Sequence, residues 1–461
     1  MKESEEMRIE PIPKLLLRFS MPAIVGLLVN SLYNIIDSMF VGRGVGDLGL
    51  AGVTVSFPIV TSFMACIMLI GMGATSLISI RLGEKKGDEA EKIIGNAFTL
   101  FIILGLSLTV IGLIFLKPIL IFFGASPAVL PYATDYMRII LLGSVFLAVG
   151  TGMNNFIRAE GNPKMAMNTM LIGTVTNIFL DYLFIFIFKW GIKGAALATI
   201  ISYGVTTTWV LHYFISGKSK LKIKTENFKP NRVLVKAIFI VGFPTFVLQI
   251  TGSIQQLILN RSLAQYGGDT ALAVIGVIMS IVTFLVMPAM GVSQGAQPII
   301  GYNYGAKQYE RVKDTLKLSI ISATAIVTLG FAVSKIWPSQ LIGLFNEDPE
   351  LIAMGVHGMG IFFKFLPLVG VQMISASYFQ AVGKPNQATL LSLSRQVIIF
   401  IPLLIFLPRQ FGLEGVWWSA PFSDLGAFLL TGIWLWVEIN QLNKTRDLAK
   451  ESSSEEVKQA S

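Results

Sequence analysis

Apolar runs of about 20 residues or more recur about twelve times along this chain, and this recurrence is the strongest constraint on its fold. A helix of about 20 apolar residues spans the hydrocarbon core of a bilayer. Hydrophobic residues make up 53% of the chain and charged residues 14%, whereas a soluble domain averages about 25% charged residues. The chain is therefore predicted to be an all-α polytopic membrane protein with about 12 transmembrane helices. The runs lie near 15–40, 48–79, 94–116, 132–157, 165–188, 192–215, 237–263, 269–300, 316–337, 353–379, 388–408 and 414–438.

Basic residues cluster between these runs and predict the orientation in the membrane. Loops rich in Lys and Arg stay on the cytoplasmic side, and an even number of spans places both termini on one side. The sequence thus predicts a multi-pass protein of the cell (plasma or inner) membrane with cytoplasmic N- and C-termini. In a chain of apolar spans, this interpretation is preferred to nucleic-acid binding. The clusters lie at 2–18, 81–92, 218–236, 307–317 and 444–458.

An internal repeat divides the chain into two halves. Pro22 recurs as Pro244, and the same offset of 222 positions relates several other residues. Six spans per half give both halves the same orientation, which predicts two six-helix lobes related by a pseudo-two-fold axis along the membrane normal and enclosing a cleft. Pro22 and Pro244 are predicted to kink their helices. The predicted divisions are the N-lobe (1–217, TM1–TM6), a basic cytoplasmic linker (218–236), the C-lobe (237–440, TM7–TM12) and a polar cytoplasmic tail (441–461).

Two carboxylates lie inside predicted spans of the first lobe, Asp37 and Asp181. A charged side chain in a span costs at least a few kcal/mol and usually has a function there. The repeat positions in the second lobe are Leu259 and Leu403 (or Pro402, because the repeat slips by one residue near its end). Ion coupling is therefore predicted to reside in the first lobe.

Polar residues on the first span extend this site. Tyr33 and Asn34 precede Asp37 by four and three positions, so the three side chains share one side of a helix and are predicted to face a cavity. In the second lobe amides stand in the seventh span. Among them, Gln256 is expected to line the same cleft.

Depth along the helices brings further oxygen ligands to the two acids. At 1.5 Å per residue from their predicted cytoplasmic ends, Asp37 and Asp181 both reach the outward half of the membrane. Asn177 lies one turn before Asp181, and Thr199 lies at compatible depth. These oxygens suit a hard cation such as Na⁺, with Asp37 and Asp181 as its carboxylate ligands. The same carboxylates can instead share and release protons, and both alternatives stay open.

Other classes of protein are disfavoured by missing motifs. The chain has no G-x-x-x-x-G-K-[ST] loop and no Cys/His cluster, so it is predicted not to be an enzyme and to need no cofactor beyond a transported Na⁺ or H⁺. The sequence also lacks the filter-like loop that would indicate a channel. For Asp37 and Asp181, the alternative to ion coupling is a structural ion pair, with Arg138 or Lys364 as partner. Asp424, Lys364 and Arg395 are expected to have structural roles.

Several segments together resemble the MATE family of multidrug and toxin extrusion transporters. They are SLYNIIDSMFVG, RAEGNPKMAMN, NIFLDYLFIF and WGIKGAALATIIS in the first half, and GAQPIIGYNYGAK, QAVGKPNQ, LSLSRQ and GLEGVWWSAP in the second. The resemblance covers nearly the whole chain and keeps the order of the motifs. It implies twelve helices in two lobes and export of organic, often cationic, compounds against entry of Na⁺ or H⁺.

The resemblance also assigns residues. The family's first-lobe cation site falls on Asp37, Asn177, Asp181 and Thr199, and its asparagine from the fourth helix is assigned to Asn154. By the same comparison Tyr33 lines this cavity.

One branch of the family carries an acid in the seventh helix, but Leu259 stands there in this chain. This difference indicates the branch that couples through the first lobe alone.

The predicted function is a secondary antiporter that exports small organic, cationic compounds by alternating access, coupled to inward Na⁺ or H⁺. Its partners are these substrates and the lipid bilayer, with no nucleic acid, and the protein is expected to be a monomer. The alternative keeps the fold and changes the cargo: a flippase for an amphipathic lipid-linked precursor. Such a protein is expected to have a more cationic cleft.

Overall fold

In the computed structural model, which describes residues 2–345 and 348–460, the chain folds into seventeen α-helices and no strands within those residues. The helices are α1 (Lys2–Ile9), α2 (Ile12–Gly44), α3 (Asp47–Gly83), α4 (Gly87–Ile114), α5 (Leu116–Phe122), α6 (Leu130–Leu142), α7 (Ser144–Ala159), α8 (Pro163–Asp181), α9 (Gly191–Ile215), α10 (Arg232–Gly305), α11 (Tyr309–Ile336), α12 (Pro338–Gly343), α13 (Pro349–Phe362), α14 (Leu366–Ala381), α15 (Pro385–Leu393), α16 (Phe400–Phe411) and α17 (Leu413–Ala460). Two π-helical turns (Tyr182–Ile187 and Ser394–Ile399) and a 3₁₀ turn (Thr225–Phe228) complete them.

The helices give twelve crossings in the order that the sequence predicts. Within the described residues, nine helices or continuous helix pairs are long and apolar enough to span a membrane. One of them, α10, has 74 residues and leaves helical geometry at Gly268 (φ 67°, ψ −160°), so it counts as two crossings. Two further crossings are bent pairs, α6 with α7 (57°) and α13 with α14 (52°). The all-α fold with about 12 transmembrane helices is confirmed.

Hydrophobic clusters follow the two lobes, but the first turns of each lobe pack on the other lobe. Met7, Leu15, Leu16 and Phe19, at the start of the chain, are buried in a cluster whose other buried members lie between Leu259 and Leu442. Ile238, near the start of α10, is buried among first-half residues. The first turns of each lobe therefore reach across the interface between the lobes. The predicted boundaries between lobes, linker and tail stay a prediction, and α17 continues through most of the predicted tail.

The lobes contact each other closely at the ends of α2, α3 and α10 that lie nearest the N-terminus and the linker, which we call the basic side. Gln297 Nε2 donates to Ser76 Oγ (3.1 Å) across this interface. Arg158 on α7 donates to Gln294 Oε1 on α10. A Cβ atom at Gly242 would lie 1.7 Å from the Leu69 carbonyl oxygen, so the helices touch through their backbones. The cleft is closed on this side.

A cavity of about 670 Å³ lies at the opposite ends of α2 and α3. It is lined by the second half of α2 and the start of α3, including Asn34, Ser38, Arg43 and Leu50. The cavity therefore opens toward the side of the membrane away from the basic side.

Candidate functional site

The carboxyl groups of Asp37 and Asp181 lie within hydrogen-bonding reach of each other. Asp37 is on α2 and Asp181 ends α8, and these two helices pack together. Asp181 is 0% exposed, and Asp37 is half-buried. Ionised carboxylates have no hydrogen to donate, so a hydrogen bond between the two groups requires a proton on one of them. The arrangement is suited to hold one positive charge, either a proton or a small cation.

Asn177 connects Asp181 to α9. Oriented so that both ends of its amide are satisfied, its nitrogen donates to Asp181 Oδ2 (2.6 Å) and its oxygen accepts from the Thr199 backbone N–H (3.2 Å). Asn177 and Asp181 share a face of α8 because they are four residues apart. Asn177 and Thr199 are both buried. The four residues predicted from spacing and depth thus lie together.

Two of the predicted coupling residues each have a buried side-chain oxygen that, within the described residues, has no hydrogen-bond partner outside the carboxyl pair itself. The two atoms are Oδ1 of Asp181 and Oδ1 of Asn154 on α7. A buried polar atom without a partner costs free energy, so such atoms commonly indicate a ligand site. Asn154 is buried, as its assignment requires, and its coupling role stays a prediction.

Three tyrosines surround the carboxyl pair, and sequence reasoning identified only one of them. Tyr33, Tyr136 and Tyr203 each interact electrostatically with Asp37, and Tyr136 also hydrogen-bonds to the side chain of Thr199. Tyr203 follows Thr199 by one helical turn, so helical periodicity could have identified Tyr203 from the sequence. Tyr136 comes from α6, a bent half-span whose rotation the sequence pattern does not reveal.

A structural ion pair for the two acids is absent from the described residues. None of the ion pairs found there includes Asp37 or Asp181. Lys364, one suggested partner, lies 4.5 Å over the ring of Trp418 instead. No third His, Cys, Asp or Glu joins the two acids as a metal ligand in the same part of the chain.

Asn34 on α2 lies on a different side of the helix from the acids. Asn34 lines the 670 Å³ cavity, and its Nδ2 donates to the Asn30 carbonyl of its own helix (3.0 Å). Tyr33 and Asp37 face Asp181. The helix therefore presents one polar face to this cavity and an adjacent one to the lobe interior.

On the second lobe, Gln256 is exposed and donates to Asn260 Oδ1 (2.9 Å). It does not line the 670 Å³ cavity. Pro22 and Pro244 are buried inside α2 and α10. The roles of these three residues stay predictions.

A family profile described as MatE matches residues 22–183 and again residues 244–406. The two matches begin 222 residues apart, which is the offset of the repeat. The chain belongs to the MatE family. The family resemblance predicted from the motifs is confirmed, and with it the assignment to membrane transporters rather than enzymes.

Named relatives and solved structures agree with this assignment. The chain is 30% identical over 406 residues to Multidrug export protein MepA of Staphylococcus haemolyticus (strain JCSC1435), covering 88% of this chain and 89% of that protein. The protein of the same name from Staphylococcus aureus (strain MSSA476) is 30% identical over 411 residues, with 89% and 90% covered. A solved structure described as the outward-facing conformation of a multidrug resistance MATE family transporter matches with a TM-score of 0.90 and 26% identity, covering 96% of this chain and 99% of that one.

Proposed function

We propose that this MatE protein is a multidrug exporter of the cell membrane, a secondary antiporter that couples efflux of organic cations to inward movement of Na⁺ or H⁺. The observation that carries the proposal is the contact between Asp37 and Asp181 without a basic partner among the described residues. A fixed lysine or arginine would neutralise these acids permanently. Without one, the charge must come from an exchangeable cation.

The proposed cycle alternates access between the two sides. The lobes are in contact on the basic side while a cavity opens opposite, so this conformation accepts an ion from outside and releases substrate there. A ligand shifts such an equilibrium only by binding one state more tightly than the other. We therefore assign the ion to the carboxyl pair, where its binding competes with the positive charge of the substrate.

The orientation completes the proposal. Basic loops on the side of closed contact favour a cytoplasmic N-terminus and a cytoplasmic C-terminus. The names of the staphylococcal relatives support small organic compounds as cargo. The protein acts as a monomer in this scheme, because each lobe supplies one wall of the cleft.

The experiment is efflux of a cationic dye from proteoliposomes, driven in separate runs by a Na⁺ gradient and by a pH gradient. Asp37→Asn is expected to abolish transport under either gradient while leaving a folded protein. Asp47→Asn is the matched control, because this acid is exposed at the start of α3 and is expected to be dispensable. Full transport by the Asp37 variant would contradict the proposal. Translocation of a lipid-linked precursor without dye efflux would favour the flippase.

A further inference from the structure

The second lobe carries its own polar cluster where the first lobe has the acid site. Asp424 on α17 stands 221 residues after Tyr203, the offset that also relates Gly191 to Gly412 at this end of the repeat. Tyr203 lies beside Asp37 in the first lobe. Asp424 therefore occupies the second-lobe counterpart of a position in the acid site.

The cluster contains a cation of its own. Arg395 Nε donates to Asp424 Oδ1 (2.7 Å), and Gln372 Nε2 donates to the Asp424 backbone carbonyl (2.6 Å). Next to Arg395, Gln396 Oε1 accepts from the Thr251 hydroxyl (2.7 Å). These contacts join α10, α14, α17 and the second π-helical turn. Where the first lobe holds two acids, the second holds an arginine fixed by one acid.

Depth and exposure indicate what this arginine faces. Arg395 lies ten residues beyond Pro385, the start of its span, or about 15 Å into a bilayer core of about 30 Å. Its side chain is 37% exposed, whereas that of Asp424 is 6% exposed. A cation at this depth is costly in lipid and is normally directed toward the protein interior or a water-filled cavity. The exposed part of the Arg395 side chain is therefore expected to face the water of the cleft.

Polar residues on the neighbouring helix support this orientation. Ser253, Gln256 and Asn260 on α10 are all exposed, and α10 contacts both α15 and the second π-helical turn. Exposed amides at membrane depth indicate a hydrated surface, since lipid would leave unmet the donors and acceptors that their mutual hydrogen bond does not use.

Arg395 and Asp181 each lie in or next to a π-helical turn. Of the two π-helical turns in the described chain, one begins directly after Asp181 and the other begins at Ser394, the residue before Arg395. Such turns are rare and occur frequently at functional sites. A purely structural ion pair does not need one.

We propose that Arg395 is a substrate-binding residue that takes a carboxylate on the transported molecule. Asp424 accepts a hydrogen bond from Nε of Arg395, and within the described residues no other partner of the guanidinium is found. The remaining N–H groups present the planar fork that pairs with a carboxylate through two parallel hydrogen bonds. The proposal rests on the proposed function and extends it to zwitterions, whose cationic end lies toward the acids of the first lobe.

The test compares rhodamine B, which carries a free carboxylate, with its ethyl ester. Binding of each dye to the purified full-length protein is measured by fluorescence polarisation in detergent, without any gradient, so the result does not depend on transport. The wild type is expected to bind the acid more tightly than the ester. Losing a charge-assisted hydrogen-bonded pair is expected to reduce this preference about tenfold.

The decisive variant is Arg395→Gln with Asp424→Asn, because removing both charges leaves no unpaired buried carboxylate. Arg395→Lys keeps the charge without the fork and is expected to give an intermediate preference. The matched control is Lys384→Met with Glu438→Leu, which removes another ion pair of the same lobe (2.6 Å) and is expected to keep the preference for the acid.

Three results in the dye measurements would overturn the proposal, and a fourth would come from competition with a diphosphate. The first three are a wild type without preference for the acid, a double variant at Arg395 and Asp424 that keeps the preference, and an equal loss in the control pair. Tighter competition by a short isoprenyl diphosphate than by the acid dye would instead assign Arg395 to a lipid phosphate and overturn the carboxylate assignment. Failure of dye efflux in proteoliposomes with an intact binding preference would contradict the antiporter and leave this subsite supported.

Discussion

Gly83 and Gly305 each lie against the helix that carries the other. A Cβ atom at Gly83 would be 1.9 Å from the Tyr302 carbonyl oxygen, and one at Gly305 would be 2.1 Å from the Ile80 carbonyl oxygen. The two contacts are related by the repeat, because 222 positions separate Gly83 from Gly305 and Ile80 from Tyr302. The closed side is thus a symmetric crossing of helix backbones that has no room for a methyl group.

The first prediction concerns this crossing. Gly305→Ala is expected to force α3 and α10 apart, because the new methyl group meets rigid backbone rather than a movable side chain. A cysteine placed at Ser76, in a background without Cys66, should then react several-fold faster with a membrane-impermeant maleimide from the basic side. Gly87→Ala is the control, since nothing lies within 4 Å of that position. Unchanged labelling in the Gly305 variant would show that the contact does not hold the side closed.

The second prediction ranks two members of the acid site. Asn177→Ala removes the amide that joins Asp181 to Thr199 and leaves a buried carboxylate oxygen without its donor. We expect dye efflux to fall at least about tenfold, in line with a lost hydrogen bond to a charged group. Thr199→Val keeps the backbone N–H and should cost less. Thr208→Val is the control on the same helix, because its exposed hydroxyl bonds only the Gly204 carbonyl.

This ranking is checked by initial efflux rates at matched protein levels in proteoliposomes. A larger loss in the Thr199 variant than in the Asn177 variant would mean that the hydroxyl, rather than the amide, is the essential group.

The third prediction concerns the pH dependence of stability at Glu160, beyond the end of α7. Its carboxylate accepts from the backbone N–H groups of Lys220 and Leu221 and from the Ser219 hydroxyl. Burial raises the pKa of Glu160 above its ordinary value of 4.5, and these hydrogen bonds only partly offset the rise. The folded state therefore holds the proton more tightly than the unfolded state, and stability falls as the pH rises from about 4.5 through the folded-state pKa.

Thermal unfolding of Glu160→Gln measures this effect. The variant is expected to have a lower Tm at every pH, because its amide NH₂ faces hydrogen-bond donors, and the difference from wild type should shrink as the pH rises. Glu84→Gln is the control of opposite sign. Burial acts on Glu84 too, but hydrogen bonds from Arg81 and Lys86 lower its pKa overall. Its stabilising contribution is lost as the pH falls, so the wild-type advantage should grow with pH. If the Tm difference from wild type changed with pH in the same direction in both variants, the opposite pKa shifts of Glu160 and Glu84 would be contradicted.

The fourth prediction concerns the segment before α2 that packs on the second lobe. Arg311 on α11 donates to the carbonyl oxygens of Met7 (3.0 Å) and Glu10 (2.6 Å), and Asn303 Nδ2 also donates to the Met7 carbonyl (3.1 Å). Arg311→Gln removes the donors that reach both carbonyls, at a cost of about 1–3 kcal/mol. Hydrogen–deuterium exchange over residues 7–19 should become faster, whereas Lys317→Gln, an exposed change on the same helix, should leave it unaltered. Equal exchange in both variants would show that apolar packing alone holds the segment.

The sequence by itself determined the helical fold, the number of crossings and the two-lobed repeat. The fold and the crossings follow from length and hydropathy, because few backbone structures satisfy all their hydrogen bonds in lipid. The repeat follows from the constant offset of 222 positions. It also determined Asp37, Asn177 and Asp181 as a group, since helical periodicity and rise fix the face and depth of each residue along its own span. Thr199 joined them by depth alone.

Only the tertiary structure decided how these spans are rotated and paired. Tyr136 joins the acid site because α6 bends against α7. Asn34 lines the 670 Å³ cavity while Asp37 faces Asp181, although the two residues belong to one helical periodicity. Met7 packs among second-lobe residues, Ile238 packs among first-lobe residues, and Arg395 pairs with Asp424. Each of these contacts joins residues that are distant along the chain. Helix packing sets such contacts through the fit of whole surfaces, and no spacing within a single span contains that information.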